Sequence, residues 1–260
     1  MRGSKIRRNY LGGWLLSAAA ALIVSACGQA PDRQSDNGVK SAPPVDAVVP
    51  IAPTDFVIAP CAGVAEEAKC AIIAAGGKRV LIGAPAGIGE GMIAGDVTSP
   101  DGLVLLSLQA RAVEGLDELR NHRWTSGQRA ALVIAGAQGV DSLVAGLNAA
   151  YVTSDALAYV SGDREGGFDT VPIVAKVVGA GEPAFDTGDL VIRTYAGGPG
   201  TLALFVTYND KTALLSDCAA TPADIQSWPS ADVYIGCVGR ADHVSDRQVD
   251  FPPQLRIYVD

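Results

Sequence analysis

The sequence contains few of the residues that catalysis and metal binding usually need. Only two of its 260 residues are histidines, His122 and His243, and neither lies in a recognisable motif. No GxSxG, HExxH or Walker A sequence occurs, and the glycines around residues 87–95 do not keep the GxGxxG spacing. A Ser/His/Asp triad could draw only on these two histidines. We therefore expect neither a covalent hydrolase nor a nucleotide-binding loop.

Positive charge is also scarce. Charged residues make up 18% of the chain, and the formal net charge is -8. Four basic residues lie in an N-terminal segment that we expect to be removed, and their loss would take the charge from -8 to -12. An acidic surface does not attract a polyanion, so we expect no nucleic-acid partner. With 48% hydrophobic residues, the chain is typical of a globular protein with a full core.

The first 26 residues have the layout of an export signal. Four basic residues precede an apolar run over residues 11–26, which is shorter than the roughly 20 residues that a transmembrane helix needs. The run ends in Val24-Ser25-Ala26-Cys27, which resembles the bacterial lipobox, whose cysteine is acylated. We predict a lipoprotein signal peptide over residues 1–26, with Cys27 as the lipid anchor. An ordinary N-terminal membrane helix is the alternative.

The residues around this signal also indicate a location. Gly28 stands where an inner-membrane retention signal usually has aspartate, so the resemblance implies a cell-envelope protein anchored in the outer membrane and facing the periplasm. Arg7 and Arg8 resemble a twin-arginine export motif, and the choice between that route and the general secretory route stays open. Residues 27–53 are rich in Ser, Pro, Asp, Gln and Asn, which is typical of a flexible tether.

Four cysteines remain after Cys27, in a chain that we expect to reach an oxidising compartment. Four thiols allow three pairings, and the sequence alone does not choose among them. We favour Cys61 with Cys70 because they lie beside two strands predicted to be neighbours. We favour Cys218 with Cys237 because each closes a short apolar run. A thiolate metal site is the alternative, but no CxxC spacing supports it.

Short apolar runs bounded by Gly, Pro, Asp or Asn predict most of the strands. They cover residues 56–59, 70–74, 80–84, 103–108, 131–135, 171–178, 190–195, 202–208, 213–215, 233–237 and 255–259. Apolar residues at helical spacing over 113–119 and 140–151 predict two helices between them. Strands that alternate with helices and are then followed by a run of strands predict an α/β domain with mixed sheets.

Four segments resemble, in order, the metallo-β-lactamase-fold hydrolases of the ribonuclease Z and arylsulfatase branch. Residues 71–89 resemble the family's opening hairpin and its strand and turn, and residues 105–119 lie where the family carries its THxHxDHxxGL signature. Residues 207–217 and 231–235 resemble later strands of that branch. The resemblance covers residues 56–238. It implies a four-layer αββα sandwich with two mixed sheets, formed by a domain over residues 54–260.

The family's zinc ligands are missing from the positions where the resemblance places them. In the family, the two histidines at i and i+2 bind one zinc, the following Asp and His bind a second, and a later Asp bridges them. A bound zinc makes hydroxide available at neutral pH. This chain has Ser107, Gln109, Arg111 and Ala112 at the four signature positions, and only Asp217 keeps the family's residue. A permanently charged guanidinium is unsuited to a site for dications.

The resemblance therefore implies a degenerate domain with no metal and no catalytic residue. We expect a binding protein, attached to the membrane through its lipid anchor, whose partner is a small molecule in the vestigial cleft or an envelope protein. A zinc-dependent hydrolase of the phosphodiesterase or esterase kind, with an atypical centre, is the alternative. A purely structural envelope protein is a third possibility.

We also predict that the positive charge of Arg111 replaces the charge of the metal by pairing with Asp217, with hydrogen bonds from Ser107 and Gln109. In the alternative arrangement, Arg111 points to solvent and Asp217 caps a turn.

Overall fold

A computed structural model describes residues 51–65, 68–94, 99–128, 130–162 and 173–260, and it describes residues 92–94 by their backbone alone. The predicted signal peptide, Cys27 and most of the predicted tether lie outside the described residues. The described part contains the strands β1 (Val57–Pro60), β2 (Ala71–Ala75), β3 (Lys78–Ile82), β4 (Gly102–Val104), β5 (Val133–Gly136), β6 (Val174–Val177), β7 (Pro183–Asp186), β8 (Leu190–Ala196), β9 (Leu202–Tyr208), β10 (Lys211–Ser216), β11 (Val233–Gly236), β12 (Gln248–Asp250) and β13 (Ile257–Tyr258). Its helices are α1 (Ile88–Ala94), α2 (Ala110–Val113), α3 (Leu116–Thr125), α4 (Val140–Val160) and α5 (Pro222–Gln226).

The strands form two mixed sheets. The first has the order β13-β1-β2-β3-β4-β5-β6, and β3 to β6 run parallel to one another. The second has the order β12-β11-β10-β9-β8-β7, in which β10, β11 and β12 are parallel and the rest antiparallel. The two mixed sheets that the sequence predicts are therefore confirmed.

Side-chain alternation along the strands creates three apolar layers. In β3, Val80 and Ile82 point into the core between the sheets, while Leu81 points to the layer beneath α1, α3 and α4. In β10, Leu215 joins the core between the sheets and Leu214 packs beneath α5. Helices thus cover the outer face of each sheet. The order of layers is helix, sheet, sheet, helix, as predicted.

The observed strand bounds agree with the predicted bounds where apolar runs are long, and they differ at β4, β7 and β12. Residues 202–208 form β9 as predicted. The run predicted as a strand over 103–108 ends as regular strand at Val104, because the chain then crosses towards the second sheet. There Leu106 O accepts a hydrogen bond from Leu202 N at 2.7 Å, and Ser107 bridges Thr201. The strands β7 and β12 were not predicted.

Both cysteine pairs favoured from the sequence lie at disulfide distance. Cys61 and Cys70 join the end of β1 to the start of β2, with their Cα atoms 5.6 Å apart. Cys218 and Cys237 join the segments that follow β10 and β11, with a Cα separation of 5.4 Å. The second disulfide therefore ties together two loops at the same end of the second sheet.

The helices α3 and α4 are joined by a polar clamp inside the domain. Arg120 and Asp155, which are 2% and 4% exposed, form a two-point ion pair, with Nη1 donating to Oδ1 at 3.0 Å. The Tyr151 hydroxyl donates to Asp117 at 2.8 Å, and this hydrogen bond raises the pKa of the tyrosine. The Arg120 guanidinium also lies 5.0 Å from the Tyr151 ring centre. Among the described helices, none is long and apolar enough to cross a bilayer.

Candidate functional site

The segments that follow β4, β5, β8, β10 and β11 meet along one border of the sandwich. We call this border the signature edge and define it as residues 105–112, 137–139, 197–201, 217–221 and 237–240. The first segment contacts the third through the Leu106–Leu202 hydrogen bond and the Ser107–Thr201 bridge. The disulfide between Cys218 and Cys237 connects the last two segments. Gly198 packs against Ala219, which connects the third segment to the fourth. The four signature positions and Asp217 therefore belong to one continuous border.

Two glycines bring the turn after β8 against the backbone of its neighbours. Gly198 has φ of 119°, and a Cβ atom there would lie 2.4 Å from the Ala219 carbonyl oxygen. A Cβ atom on Gly197 would lie 2.5 Å from the Leu202 carbonyl carbon. Real Cβ atoms do not approach a backbone atom this closely, so no side chain fits at either position. A side chain at Gly197 or Gly198 would therefore require the backbone to move.

Polar side chains hold the rest of the signature edge in place. The Arg240 guanidinium donates to Cys218 O at 2.7 Å and to Ala220 O at 2.8 Å. The Trp228 indole donates to Ala196 O at 2.8 Å. Beyond the edge, α5 begins with a capping box in which Thr221 and Asp224 bond each other's backbone. The side-chain and backbone hydrogen bonds from Thr221 lower the pKa of Asp224.

The signature residues occupy very different environments. Ser107 is 5% exposed, and its hydroxyl accepts a hydrogen bond from Gln109 N at 3.4 Å. Gln109 and Arg111 are exposed at the start of α2. Ala112 is buried, and its carbonyl oxygen accepts a hydrogen bond from Ala84 N at 2.9 Å. Ser107 and Ala112 are thus buried and bond neighbouring backbone, whereas Gln109 and Arg111 face solvent.

The predicted ion pair between Arg111 and Asp217 is wrong. No ion pair or hydrogen bond joins these two described residues. Asp217 instead accepts a hydrogen bond from Ala219 N at 2.9 Å, which closes a tight turn after β10. The local backbone donor satisfies the carboxylate, and a partly exposed carboxylate does not need a buried counter-ion. The alternative arrangement, an exposed arginine and a turn-capping aspartate, is the one observed.

The residues at the four signature positions and Asp217 do not fit a dinuclear zinc centre. A hydroxyl, an amide, a guanidinium and a methyl group replace three histidines and a carboxylate, and only Asp217 offers an anionic ligand. Within the described ranges, no group of three or more His, Cys, Asp or Glu side chains comes together as metal ligands would. The amino-acid types at the signature positions are therefore unsuited to a dinuclear zinc centre.

The two histidines lie in other parts of the domain. His122 belongs to α3, where its Nε2 lies 3.3 Å from the Ser126 hydroxyl. His243 follows β11, and its Nε2 lies 3.0 Å from Ile225 O. The sequence suggested no partner for His243, and the structure gives it this carbonyl. The first contact is exposed and lies within one turn of helix, and the second is partly buried and joins the loop after β11 to α5.

One feature that the sequence did not indicate involves the glycine-rich turn after β3. The Glu118 carboxylate accepts hydrogen bonds from Gly87 N and Gly89 N, both at 3.1 Å. A carboxylate from α3 thus occupies the position where a nucleotide loop would hold a phosphate. No sequence motif pairs Glu118 with this turn, because the contact joins residues about 30 positions apart. The turn packs α1 against α3 and is not free to take an anion.

Three open depressions in the described residues lie away from the signature edge. Their volumes are about 250, 190 and 190 Å³. They lie beside the β2–β3 hairpin, between β5 and β7, and beside the first disulfide, and no residue of the signature edge lines any of the three. The sequence expectation of a small molecule in a vestigial cleft thus gains no support from these three depressions.

Comparisons with known proteins identify the fold. No protein-family model matches the sequence, and no curated protein matches it. Similar solved structures include the metallo-beta-lactamase fold protein YhfI from Bacillus subtilis, with a TM-score of 0.53 and 11% identity over 78% of this chain and 99% of that one. The short form of human tRNase Z has a TM-score of 0.55 and 11% identity over 79% and 100% of the two chains. A diphosphatase from the PhnP family has a TM-score of 0.51 and 11% identity over 76% and 86%.

Proposed function

Since this chain has a metallo-β-lactamase fold, we propose that it is a lipid-anchored envelope protein whose domain binds a partner and does not catalyse hydrolysis. The signal over residues 1–26 would direct export, and Cys27 would carry the lipid. The domain over residues 54–260 would then lie in the periplasm, tethered to the outer membrane. Function resides in sites and not in folds, so the fold alone does not make the chain a hydrolase.

The observation that carries this proposal is the set of side chains along the signature edge. Hydrolysis in this fold needs metal-bound water, and metal-bound water needs several neutral imidazole or anionic ligands around one point. Ser107, Gln109, Arg111 and Ala112 supply none of these ligands.

The turn after β8 supports the same proposal independently. Gly197 and Gly198 approach neighbouring backbone so closely that no side chain fits at either position. A metal ligand at either position would therefore require movement of the backbone, and a substitution alone would not suffice.

The described chain enters the domain at the end of the strands opposite the signature edge. Pro53 O accepts hydrogen bonds from Gly77 N at 3.2 Å and from the Tyr208 hydroxyl at 3.4 Å, so the chain enters at the border where β3 begins. We call that border the entry end. The partner that we propose is an envelope protein, which would meet the signature edge.

One observation favours the alternative of an atypical hydrolase: Asp217 keeps the family's bridging residue. The test is turnover of phosphodiester and carboxylic ester substrates by the purified protein, with and without added zinc. We expect no turnover above that of the Asp217→Ala variant. Zinc-dependent turnover that disappears in Asp217→Ala would establish the hydrolase and refute the binding proposal.

A further inference from the structure

The two disulfides among the described residues have opposite surroundings. Cys61 and Cys70 are 9% and 1% exposed, and both belong to the apolar layer beneath α1, α3 and α4. Cys218 is exposed and Cys237 is half-buried, in the loops that follow β10 and β11. A thiol opens a disulfide only if it reaches one of the two sulfurs, and exposed disulfides are accordingly the more readily exchanged ones. Access therefore favours exchange at the Cys218–Cys237 bond and protects the Cys61–Cys70 bond.

The sulfur that leaves in an exchange reaction gives the same preference. Each exchange step releases a thiolate, and its charge needs water or polar partners. A thiolate released from Cys61 or Cys70 would lie in an apolar layer, where a charge is poorly solvated. A thiolate released from Cys237 would lie at the signature edge, within reach of water. The first disulfide is thus unsuited to exchange on two grounds, and the second on neither.

The backbone that precedes each cysteine of the second pair is held without the disulfide. The strands β10 and β11, which lead into the two loops, are paired with each other in parallel. Where the strands end, the hydroxyls of Ser216 and Tyr234 lie 2.9 Å apart in a buried position. The Tyr234 hydroxyl also accepts a hydrogen bond from Cys237 N at 3.2 Å. The starting points of both loops would therefore stay in place if the disulfide opened.

Arg240 forms a second link between the same two loops. Its guanidinium donates to Cys218 O at 2.7 Å and to Ala220 O at 2.8 Å, so it joins the loop after β11 to the loop after β10. Arg240 thus repeats, without a covalent bond, the connection that the disulfide makes. Two thiols kept together in this way have a high effective concentration for each other. An opened bond could therefore close again on its original partner.

We propose that Cys218–Cys237 is a reversible thiol–disulfide exchange site and that Cys61–Cys70 is a permanent crosslink. The reductant is a dithiol, a molecule that carries two thiols. Its first thiolate attacks Sγ of Cys218, which forms a mixed disulfide and releases Cys237 as a thiolate that takes a proton from water. Its second thiolate attacks the reductant's own sulfur in the mixed disulfide, which releases Cys218 in turn and leaves the reductant as a disulfide. Two electrons pass from the dithiol to the protein.

The exchange site lies on the signature edge, next to the turn that Asp217 closes onto Ala219. Its redox state would therefore change the surface that we propose for an envelope partner. The exchange itself does not rest on that proposal, because it is measured from thiols alone. Turnover and zinc content test the binding proposal, so failure of one leaves the other standing.

Differential alkylation of the native full-length protein tests the exchange. The protein is incubated with dithiothreitol in the absence of denaturant, free thiols are alkylated at successive times, and each cysteine is quantified by peptide mass spectrometry. We expect Cys218 and Cys237 to become reactive together, about tenfold or more faster than Cys61 and Cys70, because only the first pair is accessible. Each peptide is quantified separately, so Cys27 does not enter the comparison. Equal rates for the two pairs, or no reaction of either pair before unfolding, would overturn the proposal.

Reversibility is tested by removing the dithiothreitol and adding oxidised glutathione. We expect the Cys218–Cys237 bond to re-form and the far-UV circular dichroism to stay unchanged throughout, because the loops remain in place. Arg240→Ala should slow the closure about threefold to tenfold, since it removes the second link. The matched control is Arg193→Ala, which removes another exposed arginine that donates to a backbone carbonyl, Gly181 O at 3.4 Å. This variant should close at the wild-type rate.

The results that would contradict reversibility are equally direct. A wild-type protein that loses its circular dichroism on reduction, or that does not re-form the Cys218–Cys237 bond, would refute a reversible site. Equal closure rates in Arg240→Ala and Arg193→Ala would refute the assignment of Arg240 as the link that keeps the two thiols together. The alkylation rates need no variant, so they decide the proposal even if Arg240→Ala does not fold.

Discussion

The Asp217 carboxylate has a partner close to it in the sequence and not the distant arginine that we predicted. The sequence correctly places it after β10, but the structure gives its carboxylate a backbone partner two residues away. Short polar side chains frequently bond their own backbone in this way, and such a contact competes with any longer-range partner. Arg111 meanwhile faces solvent at the start of α2, where a long charged side chain is well hydrated. The position of each residue could be predicted, and its partner could not.

This arrangement makes a simple prediction for a double-mutant cycle. Arg111→Ala and Asp217→Ala should change the free energy of unfolding independently, because the two side chains share no partner. Their effects should add to within about 0.5 kcal/mol in urea denaturation. A coupling energy of about 1 kcal/mol or more would show that the two charges interact after all.

Glu118 and Gly198 were missed for a different physical reason. Glu118 caps a turn about 30 residues earlier, and Gly198 is required by the Ala219 carbonyl oxygen. Each depends on how separate elements pack, and neither has a local sequence pattern. The prediction that the zinc ligands are absent, in contrast, comes from the sequence directly, because the resemblance aligns the ligand positions one by one.

Among the strands and helices, apolar periodicity predicts the elements that bury a full face. The strand β9 has its predicted bounds, and α4 begins where the periodic pattern begins. The strands β7 and β12 were missed because they are only four and three residues long and bury a single side chain, that of Ala184. Backbone hydrogen bonds at the border of the second sheet define these two strands, and apolar periodicity does not report such bonds. The second half of α4 was missed because its outer face breaks the amphipathic pattern.

The clamp between α3 and α4 should dominate the stability of that helix pair. Asp155→Asn leaves the buried Arg120 guanidinium without a counter-charge, and breaking a buried pair in this way costs about 3–5 kcal/mol. The matched control is Lys78→Ala, which removes the exposed ion pair with Asp101 and should cost no more than about 1 kcal/mol. Both values follow from urea denaturation at neutral pH. A loss below about 1 kcal/mol in Asp155→Asn would contradict this role for the clamp.

For the chain as a whole, the proposed arrangement is a lipid, a short tether and a domain with two distinct ends. Composition and the N-terminal motif predict the anchor, and the segment resemblance predicts the fold that the solved structures support. Where the described chain enters the domain could not be predicted from the sequence, because it depends on how Pro53 packs against Gly77 and Tyr208.

The anchor can be tested in cells. Cys27→Ser should leave the precursor unprocessed, because the lipoprotein signal peptidase needs an acylated cysteine at the cleavage site. Gel mobility and membrane fractionation report the two steps separately, and a Gly28→Ala variant serves as the control that keeps the cysteine. A Cys27→Ser protein that loses its signal and still fractionates with membranes would refute the assignment.

The central claim is that the signature edge does not hold a metal. It is tested most directly by loading the purified protein with zinc, desalting it and measuring zinc per chain by elemental analysis. We predict no stoichiometric zinc in the wild-type protein and no difference from the Asp217→Ala variant, because the ligand positions carry Ser107, Gln109, Arg111 and Ala112. One or more zinc ions per chain in the wild type, lost in Asp217→Ala, would contradict the account.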